Sequence, residues 1–155
     1  MELAASDERS LPDGGSVANY HAAMATWDDV RRFALALPDT SERPSRDHAH
    51  WWVGGKGFVW ERPLRRPDLD ALGLEAQEGP VLGARVADEG VKAALISGDP
   101  DVYFTTPHFD GYPAVLVRLD AIDATQLREL ITEAWLTRAP KRLVTEYLSG
   151  ADDRP

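Results

Sequence analysis

The segment 49–62, Ala-His-Trp-Trp-Val-Gly-Gly-Lys-Gly-Phe-Val-Trp-Glu-Arg, constrains this chain more than any other. Two aromatic runs flank Gly54-Gly55, a pair that adopts positive φ without steric cost, so the segment reads as two antiparallel strands joined by a two-residue turn. In a regular hairpin through that turn, Val53 faces Lys56, Trp51 faces Phe58 and Ala49 faces Trp60. Period-two alternation puts all six on one side, the expected core face. The other side then carries His48, His50, Trp52, Val59 and Glu61. That set is too polar for a core and too aromatic for an indifferent surface.

Around the hairpin the periodicity shifts to that of helices. Thr26 is placed to cap a helix whose first turn holds Asp28 and Asp29, and Trp27, Val30, Phe33, Ala34 and Leu37 fall on one stripe that Pro38-Asp39 terminates. Residues 39–47 read as a connecting loop. After the hairpin, residues 63–79 read as a long loop or as a short helix at 68–72, followed by a strand over 81–86 with Leu82, Ala84 and Val86 inward and a helix capped by Asp88, running through Leu95 and stopped by Gly98 and Pro100. A short strand at 102–105, a loop at 106–113 and a strand at 114–119 follow. The last long helix covers 124–137, with Leu127, Leu130, Ile131, Ala134 and Trp135 on its face, and Pro140 opens a final helix through Leu148. The order predicts an α+β domain, an antiparallel sheet with helices packed on one face. Trp27, Trp51, Trp60 and Trp135 all fall on predicted core stripes, which leaves Trp52 as the tryptophan of the open face.

The chain of 155 residues is long enough for one hydrophobic core and short for two, so residues 24–149 read as a single domain. Residues 1–23 read as a disordered leader, with Met24 as a candidate true start, and 150–155 as a flexible tail. The absence of cysteine removes disulfides, thiolate metal sites and a cysteine nucleophile, and fits a reducing, cytoplasmic compartment. No apolar run is long enough for a signal peptide or a membrane span. The formal charge of −9 argues against nonspecific coating of nucleic acid, which needs a basic footprint. Any phosphate site must be local.

Several pieces of the chain resemble the MmcQ/YjbR family: 51–58 (WWVGGKGF), 105–113 (TTPHFDGYP), 115–119 (VLVRL), and Ala134-Trp135 followed by 139–143 (APKRL). Their order and spacing cover most of residues 26–148. The resemblance implies a frataxin-like (CyaY-like) α+β fold of double-wing type and a proposed DNA-binding role, with no assigned reaction.

The residues themselves offer four candidate constellations. Lys56 at the hairpin tip, with Arg62, Arg65 and Arg66 beyond the second strand, can approach a nucleic-acid backbone, while His50 and Trp52 on the open face can stack on bases beside Arg85 and Arg118. The competing reading is a solvated sheet face whose arginines pair with neighbouring acids. Lys141 and Arg142 sit in the first turn of a helix, where the dipole disfavours cations. With the free N–H groups there they form either an anion site or ordinary ion pairs.

The 105–113 loop, with His108, Asp110 and Tyr112, has the mixture found where loops contact ligands, and also the one a packed turn needs. No nucleophile motif accompanies it. His48, His50 and Glu61 offer two imidazoles and a carboxylate to zinc, although exposed His-x-His pairs are commonly plain surface. The expectation is a non-enzymatic binding domain without a cofactor, its ligand a nucleic acid met by the hairpin tip and open face. The alternative is a small anionic metabolite or a protein partner.

Overall fold

The computed structural model describes residues 24–152. The expected leader at 1–23 lies outside them. Helix α1 (Trp27–Leu35) starts in a capping box: the Asp29 N–H donates to the Thr26 hydroxyl at 3.3 Å and the Thr26 N–H to the Asp29 carboxylate at 3.0 Å. Strands β1 (Thr40–Glu42), β2 (His50–Val53) and β3 (Lys56–Glu61) form a meander, followed by the short helix α2 (Arg66–Leu72) and strand β4 (Val81–Arg85). Helix α3 (Glu89–Gly98), strand β5 (Tyr103–Phe104), a 3-10 turn at Pro107–Phe109 and strand β6 (Ala114–Arg118) come next. The chain ends in α4 (Ala124–Arg138) and α5 (Lys141–Asp152), the latter running beyond the expected stop at Leu148. Asp88 and Asp123 cap α3 and α4 by accepting from the N–H groups of Val91 and Gln126.

The six strands make one antiparallel sheet in the order β1-β2-β3-β4-β6-β5. Strand β1 occupies ground read from the sequence as loop. Its three residues are polar and edge-bound, Thr40 pairing with Val53 and Glu42 with Trp51, so no hydrophobic alternation marks it. The Glu42 carboxylate explains the position: it accepts from the Trp51 indole N–H at 3.0 Å and from the Arg31 guanidinium at 2.8 and 3.0 Å.

The main core fills the space between one sheet face and the long helices. Trp51, Val53, Phe58, Val59, Leu82, Ala84, Val115 and Val117 meet Val30 and Ala34 of α1 and Leu127, Leu130, Ile131, Ala134 and Trp135 of α4. A smaller cluster, Val81, Phe104, Phe109, Ala114 and Leu116, lies on the second face, with Trp60, Leu64 and Leu72 packed against it. The long helices therefore cover one face, while the second is covered in part by the α2 segment and the 107–112 loop.

The hairpin departs from regular alternation at one point. Val53 pairs with Lys56 and Trp52 with Gly57, as the Gly54-Gly55 turn requires, with φ of 55° and 79°. Beyond that the register shifts, and Trp51 pairs with Val59 and His50 with Trp60. Phe58 is the extra residue of a β-bulge, so Phe58 and Val59 both enter the main core at 0% exposure. The expected pairs Trp51 with Phe58 and Ala49 with Trp60 do not form. Val59 moves from the open face to the core, and Trp60 moves from the core to the second face.

Candidate functional site

His50 and Trp52 turn away from α1 and α4, as the hairpin reading requires, and Trp60 joins them. The His50 ring stacks on Trp52 at 4.1 Å and on Trp60 at 5.6 Å, each at 17° between planes. Two glycines make room for this array. A Cβ on Gly57 would stand 2.1 Å from His50 Nε2, and one on Gly83 would stand 2.5 Å from Trp60 Cε2. The missing side chains let the rings settle against the sheet. Burial, and then the charge of nearby Arg43, hold the His50 pKa below its ordinary 6.5, so the ring is neutral at pH 7. Arg43 lies over Trp52 at 4.8 Å and accepts the Trp52 indole N–H on its carbonyl at 2.9 Å.

The rings floor a cleft of about 730 Å³. Its first wall is the β3–α2 connection, where Arg62 and Arg65 stand. Arg62 is buried against Asp68 at 3.0 Å, and its guanidinium lies 5.2 Å from the Phe109 ring. Burial pushes the Asp68 carboxyl up, but the Arg65 N–H and the Arg62 guanidinium outweigh it and hold the pKa below the ordinary carboxylate value.

The second wall is the 107–112 loop, carrying His108, Phe109, Asp110 and Tyr112. Buried Lys92 of α3 fixes this loop by donating to the carbonyls of Phe109 at 2.6 Å and Tyr112 at 2.9 Å. Arg65 reaches across to within 3.4 Å of His108 Nδ1. The third wall is a tight turn in which Ser45 and His48 exchange backbone hydrogen bonds at 2.9 and 3.0 Å. Arg46 and Asp47 within it hold positive φ, 54° and 66°, an uncommon conformation for residues with a Cβ.

The sequence candidates separate on this geometry. His50, Arg62, Arg65, His108 and Tyr112 line the cleft together with His48 and Glu61, while Trp52 and Arg85 border it through His50 and Tyr112. Lys56, Arg66, Arg118, Lys141 and Arg142 do not line it. Arg66 pairs with Asp70 at 3.4 Å and Arg142 with Glu146 at 3.7 Å. Arg118 lies over Phe104 at 4.3 Å.

The proposed metal set does not assemble, because among the described residues no three His, Asp or Glu side chains converge. His48 Nδ1 stands 3.8 Å from the Glu61 carboxylate, but His50 is held between the two indoles. The sequence reading missed Trp60, Arg43, Arg46, Lys92 and Arg138. Trp60 was hidden by the bulge. Lys92 had one available signal, a lysine at i+4 from the capping Asp88 in a helix otherwise short of charge.

Charge is distributed unevenly. Arg31, Arg32, Arg62, Arg66, Lys92 and Arg142 each have an acidic partner. Arg43, Arg46, Arg65, Arg85 and Arg138 have none among the described residues, and all five stand on the second face or its rim. An acidic chain thus gathers five unneutralised arginines around one aromatic cleft, while Arg118, over Phe104, and Arg128 of α4 also lack an acidic partner among the described residues and stand outside it. Also among the described residues, no helix is long and apolar enough to cross a membrane.

These features define a class: an α+β domain with a six-stranded antiparallel sheet, long helices on one face and an aromatic, arginine-rimmed cleft on the other. The YjbR family model matches residues 35–137, and the chain belongs to the YjbR family. It is 57% identical over 131 residues to Uncharacterized protein Mb2600 of Mycobacterium bovis and to Uncharacterized protein Rv2570 of Mycobacterium tuberculosis, matches that cover 83% of this chain and 99% of each relative. Its fold is similar to the crystal structure of Deinococcus radiodurans protein DR2400, with domain DUF419, at a TM-score of 0.56 and 23% identity over 73% of this chain and 78% of that one.

Proposed function

We propose that this YjbR-family chain is a non-enzymatic binding domain whose ligand is a small anion with a planar ring, received in the cleft on the second sheet face. The carrying observation is the coincidence of an aromatic floor, His50 and Trp60, with arginines that lack acidic partners among the described residues. The cleft volume of about 730 Å³ suits one small ligand, since such pockets span roughly 300–1,000 Å³. Rings supply stacking surface and guanidiniums supply charge-assisted hydrogen bonds. Support for binding over catalysis is chemical: among the described residues no serine or threonine hydroxyl hydrogen-bonds a histidine, and the His108 ring packs edge-on to Phe109 at 4.9 Å.

Nucleic acid is a second reading, favoured by the continuation of arginines beyond the cleft through Arg43, Arg85 and Arg138 toward the hairpin end of the sheet. Single strands suit it better than duplex, because the rings lie in a concavity and the exposed tip offers only Lys56 as a cation. A thermal-shift panel separates the two. Aromatic monoanions and dianions, aliphatic dicarboxylates, a single-stranded oligonucleotide and a duplex are compared at fixed ionic strength. Stabilisation by aromatic anions alone supports the first reading, and stabilisation by the oligonucleotides alone replaces it with the second. No shift from any member contradicts both.

A further inference from the structure

We propose that the Arg85 end of the cleft is a seat for a phosphomonoester, formed by the guanidiniums of Arg85 and Arg138 beside the Tyr112 hydroxyl, and that the ligand is an aromatic phosphomonoester such as a mononucleotide. This rests on the reading that the cleft takes an anion with a planar ring. It adds the identity of the anionic group and the place where it sits.

Arg85, the last residue of β4, is anchored at its base. Its Nε donates to the Pro113 carbonyl at 3.2 Å, its Nη1 lies 3.1 Å from the Tyr112 hydroxyl, and its plane sits 4.8 Å from the Tyr112 ring. Arg138, the last residue of α4, reaches around the sheet to donate Nε to the Gly57 carbonyl at 3.3 Å. A guanidinium has five N–H donors, so most of both forks remain unassigned among the described residues. Neither has an acidic partner there.

The two cations are anchored side by side. Ala84 pairs with Val59, so Arg85 at the end of β4 stands next to the Gly57–Phe58 stretch of β3 to which Arg138 is tied. Burial, and then the charge of Arg85, push the Arg138 pKa below its ordinary value. Like charges held together cost the unliganded fold, and a bound anion removes that cost. The seat is continuous with the floor. Gly57, which anchors Arg138, is the residue against which His50 rests, and Tyr112, which anchors Arg85, lines the cleft. Two planar forks match the tetrahedral oxygens and double charge of a phosphomonoester better than they match a lone carboxylate.

Calorimetric titration with phenyl phosphate and with adenosine 5′-monophosphate tests the proposal, using the full chain and the variants Arg85→Gln, Arg138→Gln and Arg142→Gln. Glutamine keeps a donor for the Gly57 or Pro113 carbonyl, and melting without ligand confirms that each variant folds. The expected result is binding to the wild type, competition by inorganic phosphate, and loss of about tenfold or more in affinity in Arg85→Gln and Arg138→Gln but not in Arg142→Gln. Absence of binding by both probes overturns the proposal, as does unchanged affinity in the two variants. If affinity is unchanged there but falls in Trp60→Leu, the seat is refuted while the cleft reading stands. If Trp60→Leu is also without effect, the cleft reading fails with it.

Discussion

His50 and Trp60 stack at 5.6 Å on the second face of the sheet, although regular alternation across Gly54-Gly55 puts them on opposite sides. Phe58 is the cause. Because it enters the main core next to Val59, the strand gains a residue, and Val59 and Trp60 exchange faces. One hydrophobic side chain therefore serves the core and also delivers the second indole to the cleft.

The glycines beneath the rings yield the first prediction. Gly83→Ala places a methyl 2.5 Å from the Trp60 indole and should cost about 1–3 kcal/mol in chemical denaturation, with a shift in tryptophan emission as the ring is displaced. Gly98→Ala meets no atom within 4 Å and should be neutral or stabilising by up to about 1 kcal/mol. Equal stability of the two variants would refute the packing argument.

Lys92 holds the loop wall. Lys92→Met removes the charged donor of the Phe109 and Tyr112 carbonyls, which keep only the backbone N–H groups of Tyr112 and Ala114, at a cost of about 1–3 kcal/mol. Hydrogen exchange should accelerate at 109–114 while α4 stays protected. Uniform protection in the variant would show that the loop stands without the lysine.

The Arg62–Asp68 pair is nearly inaccessible, with side chains 10% and 3% exposed. Asp68→Asn strands a buried guanidinium and removes the carboxylate that receives the Arg65 N–H, so a loss of about 3–5 kcal/mol is expected by denaturant titration. Because the folded-state pKa of Asp68 is depressed, its contribution is present above the unfolded value of 3.8 and is lost as pH falls through the folded one. Asp68→Asn should flatten the acid limb of the stability profile below that pH.

His50 acts in a higher range. Its depressed pKa means that the unfolded chain takes up a proton at pH values where the folded chain does not, so stability falls as pH drops below 6.5 toward the folded pKa. In His50→Gln this part of the slope should vanish. A slope unchanged by the substitution would assign it to another group.

Much of the fold was legible because it rests on local rules. The Thr26 and Asp88 caps, the Gly54-Gly55 turn and the stripes of α1 and α4 each announce themselves within a few residues. The cleft was half legible. His50, Arg65, His108 and Tyr112 were found because polar and aromatic residues stood where alternation expects an open face or where loops gather. Trp60 was not, since a bulge leaves no mark on periodicity. Arg43 and Arg46 come from the β1–β2 connection and Arg138 from the end of α4, and only the tertiary arrangement of the β2–β3 hairpin against α4 brings them together at the rings. Strand β1 escaped for a related reason: its polar edge pairs through backbone and Glu42, which hydrophobicity does not record.

The central claim is that ligands enter on the aromatic floor between the three walls. Chemical-shift mapping of isotope-labelled protein, titrated with the most stabilising member of the thermal-shift panel, addresses it directly. Perturbations are expected to be confined to the Trp60 indole N–H, the His50 and His108 rings, the guanidiniums of Arg85 and Arg138 and the amides of 45–48, 61–65 and 108–112. Perturbations centred on Lys141 and α5, or on the α1 and α4 surface away from Arg138, would contradict it.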